Sequence, residues 1–420
     1  MKKRVLIRMG VKSEGRFVEI GRKLLPIFEH PIVQRLRLIS QYGLGTLLTF
    51  PGAERNRLDH SLGVYDLATL LGDKLVLEGE IDEVTREHLK IAGLIHDVPH
   101  GPLSHELEPL LGDHEKRVEV YDELEDVIEG QGFDYAYVKG ILTQFVPEAI
   151  ILHDKVLGID ALEYLSGDLP RFGYKSPVSP TLLLPVLHYR NGVIGLEAKT
   201  AEEGRRTQQV RANAYTSLYR RKSPVLTARR VQQLVEELME VENITTHELA
   251  RWTDFQLLSA LYNCPKTSNE FKRLVFQREL PKQAVALKIE GYEHAEVKRG
   301  KPIHVCGSPI DDLKELEREL RDLAKRRCVE EEIAELVGAR YAVVTIPHYG
   351  AEKIASGLLE EDVKVFDGNE VKSIFSIFPS HHKSILETYS AHYAIRVGVP
   401  PESRGEAAER GEDVIDLLFG

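Results

Sequence analysis

The chain has 420 residues, 42% hydrophobic and 29% charged, with a formal net charge of −11. Such a length favours two domains over a single core, the composition is that of a soluble globular protein, and no apolar run approaches the roughly 20 residues of a membrane span. The acidic balance argues against broad nucleic-acid binding, and three scattered cysteines (Cys264, Cys306, Cys328) suggest neither disulfides nor a thiolate metal site.

In chain order, MKKRVLIRMG carries too few apolar residues after its basic start for a secretory leader, and reads as a first strand of a cytoplasmic protein. Helical periodicity then dominates from about residue 25 to 285. His60, Gly63, Val64, Leu67 and Leu71 share a face, which turns His60 inward from an apolar stripe. The 84–97 segment sets Leu89, Ala92, Gly93 and His96 on one face, and 225–241 does the same with Val231, Leu234, Leu238 and Val241. Beyond Lys282 the texture changes. AVALKIEGYEHAEV, ARYAVVTIPHY and HYAIRVGVP read as strands, 311–337 as one long amphipathic helix, and 401–420 as a partly mobile tail. The expected architecture is mainly α, with a helical catalytic domain over 1–285 and a smaller α+β domain of unknown role over 286–420.

The chemistry concentrates in RNRLDHSLGVYDLA and AGLIHDVPHGPLSH. An adjacent His-Asp pair at a helix end can present imidazole and carboxylate to one divalent ion if the chain turns immediately, and Pro99 and Gly101 supply that turn. His60 adds a ligand from another helix. Asp160 is the best fourth, because Asp160, Tyr164 and Asp168 stack four apart along one helix side. A mixed imidazole and carboxylate site suits manganese, iron, zinc, nickel or magnesium.

These stretches, with HPIVQRLRLISQYG, DHEKRV and IDALEYLSGD, resemble the HD phosphohydrolase superfamily and its deoxynucleoside triphosphate triphosphohydrolase branch. The match is close over 30–115, returns over 158–173 and is looser at 211–222. The resemblance implies one metal on His60, His96, Asp97 and Asp160, with further magnesium arriving on the nucleotide. It implies catalytic roles for His100, His114 with Glu115, His105 at phosphate or leaving group, and Arg57 on the α-phosphate. Gln34, Tyr164 and Asp168 would line the sugar pocket, and Arg211, Tyr215, Tyr219 and Lys222 a phosphate-binding helix. The implied reaction is attack of metal-bound water on the α-phosphorus, releasing deoxynucleoside and inorganic triphosphate. A homo-oligomer and a nucleotide effector are also implied, although the basic Lys2, Lys3 and Arg4 are too generic to place an effector site.

Pro99 stands where the family has glycine, Ala161 and Gly167 where it has basic residues, and Tyr215 and Arg221 where histidines are usual. The lost cations motivate a second reading, a phosphohydrolase of monophosphates or another small phosphate ester, unless Arg171 or Lys175 compensates. A third is a nucleotide- or nucleic-acid-binding sensor with little turnover. Singly, each residue also has a plain role. Arg57, for example, could pair with Asp59 or Glu54 on the surface.

Overall fold

In a computed structural model the chain is described over residues 3–7, 16–175, 178–296, 300–359 and 361–420, and Lys2 lies outside them. The protein is mainly α, with small sheets and an α+β C-terminal region.

Helices Arg57–Leu77 and Glu83–Ile95 form the centre of the site-bearing core. Each begins on a polar cap: Asn56 accepts the Asp59 amide at 2.9 Å and Asp82 the Thr85 amide at 2.7 Å. Their apolar faces bury Leu67, Leu71, Leu89, Ala92 and Ile95. Gly93 sits on this seam, where a Cβ would meet Val64 and Ala68 at 3.3 and 3.4 Å. Helix Ile159–Asp168 packs across Arg57–Leu77 and adds Leu162 and Leu165 to the same core.

Helix Lys222–Glu242 connects the two regions. Val231, Leu234 and Leu238 pack with Leu103, Leu107, Leu257 and Leu261, while Leu226 meets Tyr341 and Val343 of the C-terminal region.

Strands β1 (Lys3–Ile7) and β2 (Arg16–Ile20) form an antiparallel ribbon, of which only the first strand was expected. Strands β3 (Leu187–Arg190) and β4 (Val193–Glu197) form a hairpin inside the stretch read as helical. Its Asn191 and Gly192 have φ of 50° and 78°, the left-handed pair that a two-residue hairpin turn needs. Strands β5 (Lys282–Ile289), β6 (His304–Ser308), β7 (Val343–Thr345) and β10 (Ile395–Val399) form a sheet ordered β6-β5-β10-β7. Strands β8 (Lys364–Asp367) and β9 (Glu370–Ser373) instead extend the hairpin, giving β3-β4-β8-β9 with β4 and β8 parallel. Val363, Val365 and Ile374 thereby enter the core of the helical region.

Two expectations need correction. The 311–337 stretch is two helices, Ile310–Leu320 and Leu323–Leu336, because the Asp322 carboxylate caps a new start by accepting the Ala324 and Lys325 amides. The 401–420 tail is docked: helix Gly411–Phe419 buries Val414, Ile415 and Leu418.

Candidate active site

The helix pair and Ile159–Asp168 bring four side chains to one point. His60 Nε2 lies 3.3 Å from His96 Nε2 and 2.9 Å from Asp160 Oδ1. Asp160 Oδ1 is 3.8 Å from His96 Nε2, and Asp97 Oδ1 is 3.4 Å from the same nitrogen. The far nitrogens fix how these rings are used. His60 Nδ1 meets Glu163 Oε2 at 2.5 Å, and His96 Nδ1 faces the Gly93 carbonyl at 3.0 Å. Each Nδ1–H is thus donated outward, which leaves the two Nε2 atoms facing each other and able to share a cation, with a proton taking that place at His60 when no metal does. Charge agrees. Burial disfavours a charged His60, yet Glu163, Asp160 and Asp97 raise its pKa to about 10. The donors fit a divalent metal of intermediate softness.

Glu163 has room because position 63 is glycine: a Cβ there would lie 2.2 Å from Glu163 Oε1. Arg55 Nη2 binds that oxygen at 2.5 Å, and Arg55 Nη1 binds Asp168 at 2.7 Å. Gly167 makes space for Arg55, whose Nη1 lies 2.7 Å from where its Cβ would stand. A cation from another segment therefore occupies the neighbourhood of a basic residue missing from the sequence.

Arg57 is buried and does not pair on the surface. Nε donates to Ser104 at 2.9 Å and Nη1 to Asp97 at 3.0 Å, while Nη2 is buried without a hydrogen-bond partner among the described residues. Burial alone would raise the Asp97 pKa, but Arg57 foremost, then His96 and His100, hold it well below the usual carboxylate range.

After Asp97 the chain turns through Pro99 and folds back, so that a histidine group adjoins the first. His100 stacks on His114 with centroids 3.7 Å apart, and His105 meets both edge-on. Glu108 Oε1 accepts from His105 Nδ1 at 2.9 Å and His114 Nδ1 at 2.5 Å. Although half-buried, the Glu108 carboxyl is held well below its ordinary pKa by those two rings. Burial, with Arg57 and His114 nearby, pushes His100 well down, so that it is neutral. The carboxylate that meets His114 is Glu108, whereas Glu115 is exposed.

A line of aromatic and acidic side chains extends from Asp160 along its helix. Tyr164 faces Tyr219 with centroids 6.3 Å apart, and Tyr219 donates to Asp168 Oδ2 at 2.9 Å. Helix Ala201–Ala214 carries Arg211 and passes into a π-turn, Tyr215–Tyr219. Arg211 pairs with Glu361 of the C-terminal region and lies over the Tyr215 ring at 4.5 Å. Two expected residues are not drawn into this line. Lys222 pairs with Glu296 at 3.1 Å, and Gln34 donates to the Phe28 carbonyl and accepts from Arg37. Arg171 is held by the Glu54 carbonyl and Asp59. Glu108, Glu163 and Arg55 escaped the sequence reading. Glu108 stands three residues after His105, a spacing that could have flagged it, while Glu163 and Arg55 meet across more than 100 residues.

With this geometry in view, the family model of the HD domain matches residues 57–140. Over 91 residues the chain is 48% identical to deoxynucleoside triphosphate triphosphohydrolase SAMHD1 of Gallus gallus, covering 21% of this chain and 15% of that protein. It is 46% identical over 92 residues to the Homo sapiens protein, covering 21% and 14%. It is also 43% identical over 104 residues to uncharacterized protein YwfO of Bacillus subtilis, 24% of each chain. The aligned segments thus span a quarter or less of these relatives. A crystal structure of a phosphohydrolase from Bacteroides thetaiotaomicron superposes with a TM-score of 0.70 at 19% identity, over 95% of this chain and 99% of that one. A hypothetical protein from Aquifex aeolicus gives 0.63 at 21% identity over the full length of both, so the fold is shared well beyond the aligned segment. What fold and site share with these proteins is an HD domain, carried here by residues 57–140. That HD region is similar to those of the deoxynucleoside triphosphate triphosphohydrolases. No described helix is long and apolar enough to cross a membrane.

Proposed function

We propose that the protein hydrolyses deoxynucleoside triphosphates to deoxynucleoside and inorganic triphosphate. The observation carrying this reading is the adjacency of a cluster able to share a cation, His60, His96, Asp97 and Asp160, to a proton-handling group, His100, His105, His114 and Glu108. The local similarity to triphosphohydrolases supports the substrate class.

A divalent metal held by His60, His96, Asp97 and Asp160 would supply Lewis-acid chemistry and acidify water. The remaining work belongs to the side chains. Arg57, locked by Asp97 and Ser104, keeps the buried Nη2 for a phosphoryl oxygen and offsets charge developing at the α-phosphate. Glu108 holds Nδ1–H of His105 and of His114, leaving each Nε2 to exchange a proton with the departing 5′-oxygen. Tyr164, Tyr219 and Asp168 supply edge-on aromatic rings and a carboxylate suited to a sugar, and Arg211 and Tyr215 stand beyond them toward the phosphates.

Metal-loaded protein incubated with each of the four dNTPs, products resolved by ion exchange, tests the reading. Deoxynucleoside plus intact triphosphate, lost in Asp97→Ala, is expected. Absence of triphosphate from every dNTP, with or without other nucleotides as activators, overturns it. One observation favours the smaller-ester alternative: Arg55 and Arg171, the cations beside the altered positions, are both committed to internal carboxylates. Orthophosphate release from monophosphates would then be the product profile.

A further inference from the structure

A cleft adjoins the tyrosine group at Tyr215, whose ring meets Tyr219 with centroids 5.6 Å apart. It is lined by Tyr215 and Arg220 from the π-turn and by His348, Tyr349 and Tyr389 from the C-terminal region. His348 stacks on Tyr215 with centroids 5.7 Å apart, and Tyr349 stacks on Tyr389 at 3.9 Å, which fixes the C-terminal side of the cleft. Arg220 lies near enough to Glu108 and Tyr215, and His348 near enough to His105, Arg211 and Lys353, for their charges to interact. The cleft therefore shares Tyr215 with the tyrosine group and lies within charge range of Glu108 and His105.

Its cations are unevenly used. Arg211 is neutralised by Glu361, and Arg396 by Glu296. The side chains of Arg220 and His348 are exposed to the cleft, and neither makes a hydrogen bond or ion pair among the described residues. Arg220 foremost, then partial enclosure by the cleft, Lys353 and Arg211, press His348 down to about 3, so the neutral ring keeps one N–H to donate. A guanidinium and an imidazole without a hydrogen-bonding or ion-pairing protein partner, beside Tyr215 and within charge range of the histidine group, match the oxygens of a polyphosphate.

Resting on the reading of the site as a nucleoside triphosphate pocket, we propose that Arg220 and His348 form the subsite for the β- and γ-phosphates. The C-terminal region then supplies part of the substrate pocket through His348 and is not only an accessory module. Lengthening the bound phosphate chain from one to three groups reaches this pair.

The test is calorimetric binding of magnesium tripolyphosphate to the full-length protein and to Arg220→Ala and His348→Ala, with KM and kcat for dNTPs and a melting curve for each. Losing an interaction common to ground and transition states raises KM and spares kcat, so each variant should weaken tripolyphosphate binding and raise KM by roughly tenfold with kcat nearly unchanged. Because both side chains are exposed, melting temperatures should stay at the wild-type value. Unchanged tripolyphosphate affinity in the two folded variants, or no binding to wild type, overturns the subsite. Cleavage of dNTPs with unaltered KM in both variants leaves the substrate reading intact and removes the subsite. Tripolyphosphate binding that depends on both residues, without dNTP cleavage, keeps the subsite and removes the substrate reading.

Discussion

Glycine at position 63 costs helix stability, about 1 kcal/mol relative to alanine in a helix interior, and the return is space for Glu163 against His60. Gly63→Ala improves helix propensity yet places a methyl 2.2 Å from Glu163 Oε1, so the carboxylate must leave His60 Nδ1. Loss of such an orienting partner lowers metal affinity by about 10–100-fold. Metal titration of Gly63→Ala should show this loss with helical circular dichroism retained, and wild-type affinity would show that Glu163 does not orient the ligand. Arg57→Lys tests the neighbouring residue. Lysine keeps charge but cannot hold Ser104 and Asp97 while leaving a third donor in place, so kcat should fall at least about tenfold.

At the scale of elements, strand β5 is buried along nearly its whole length, and its one buried lysine is the exception to an otherwise apolar end. Lys288 is 1% exposed and donates to the Ala391 carbonyl at 2.7 Å. Burial, then Arg396, brings its pKa down to about 8 from the ordinary 10.5. Between those values the unfolded chain binds more protons than the folded one, so stability rises with pH across this window. The gain is about 3 kcal/mol, and Lys288→Met should lack it when denaturant unfolding is compared at pH 7.5 and 10.5. Parallel pH profiles for the two proteins would exclude the effect. The Asp322 cap offers a second check at this scale: Asp322→Ala should cost about 1 kcal/mol, read as a lower denaturation midpoint.

Elements also show why some residues are legible in the sequence and others are not. His60 and His96 stand out because each interrupts an apolar helical stripe, and Asp160 because a helix carries Tyr164 and Asp168 on the same side. Periodicity survives in one segment and needs no knowledge of the partner. Glu163 and Arg55 were missed because their meaning lies in a contact across 108 positions. Lys222 shares the segment of the pocket helix, but the π-turn at Tyr215–Tyr219 adds a residue per turn and rotates the chain beyond it, so that Tyr219 reaches Asp168 while Lys222 faces Glu296. The β3–β4 hairpin did announce itself through Asn191-Gly192, and was hidden only by the helical texture on either side.

Across the whole molecule, the two regions are joined by a shared sheet and by buried ion pairs. Strand β8 pairs with β4, Arg211 binds Glu361, and Arg229 on the Lys222–Glu242 helix makes a two-pronged pair with Glu330, both bonds 2.8 Å. Arg229 and Glu330 are 2% and 1% exposed, and Glu330 also accepts from the Val344 amide and Gln233. Removing one partner of a buried pair strands the other charge and costs about 3–5 kcal/mol, whereas replacing both with apolar groups costs much less. Arg229→Met should therefore lower the melting temperature sharply, and Arg229→Met combined with Glu330→Met should recover part of the loss. Because the contacts between regions are this extensive, calorimetry should give one transition in wild type. Two resolved transitions, with Arg229→Met moving only one, would show that the regions unfold independently and that His348 is held in the pocket by its own region alone.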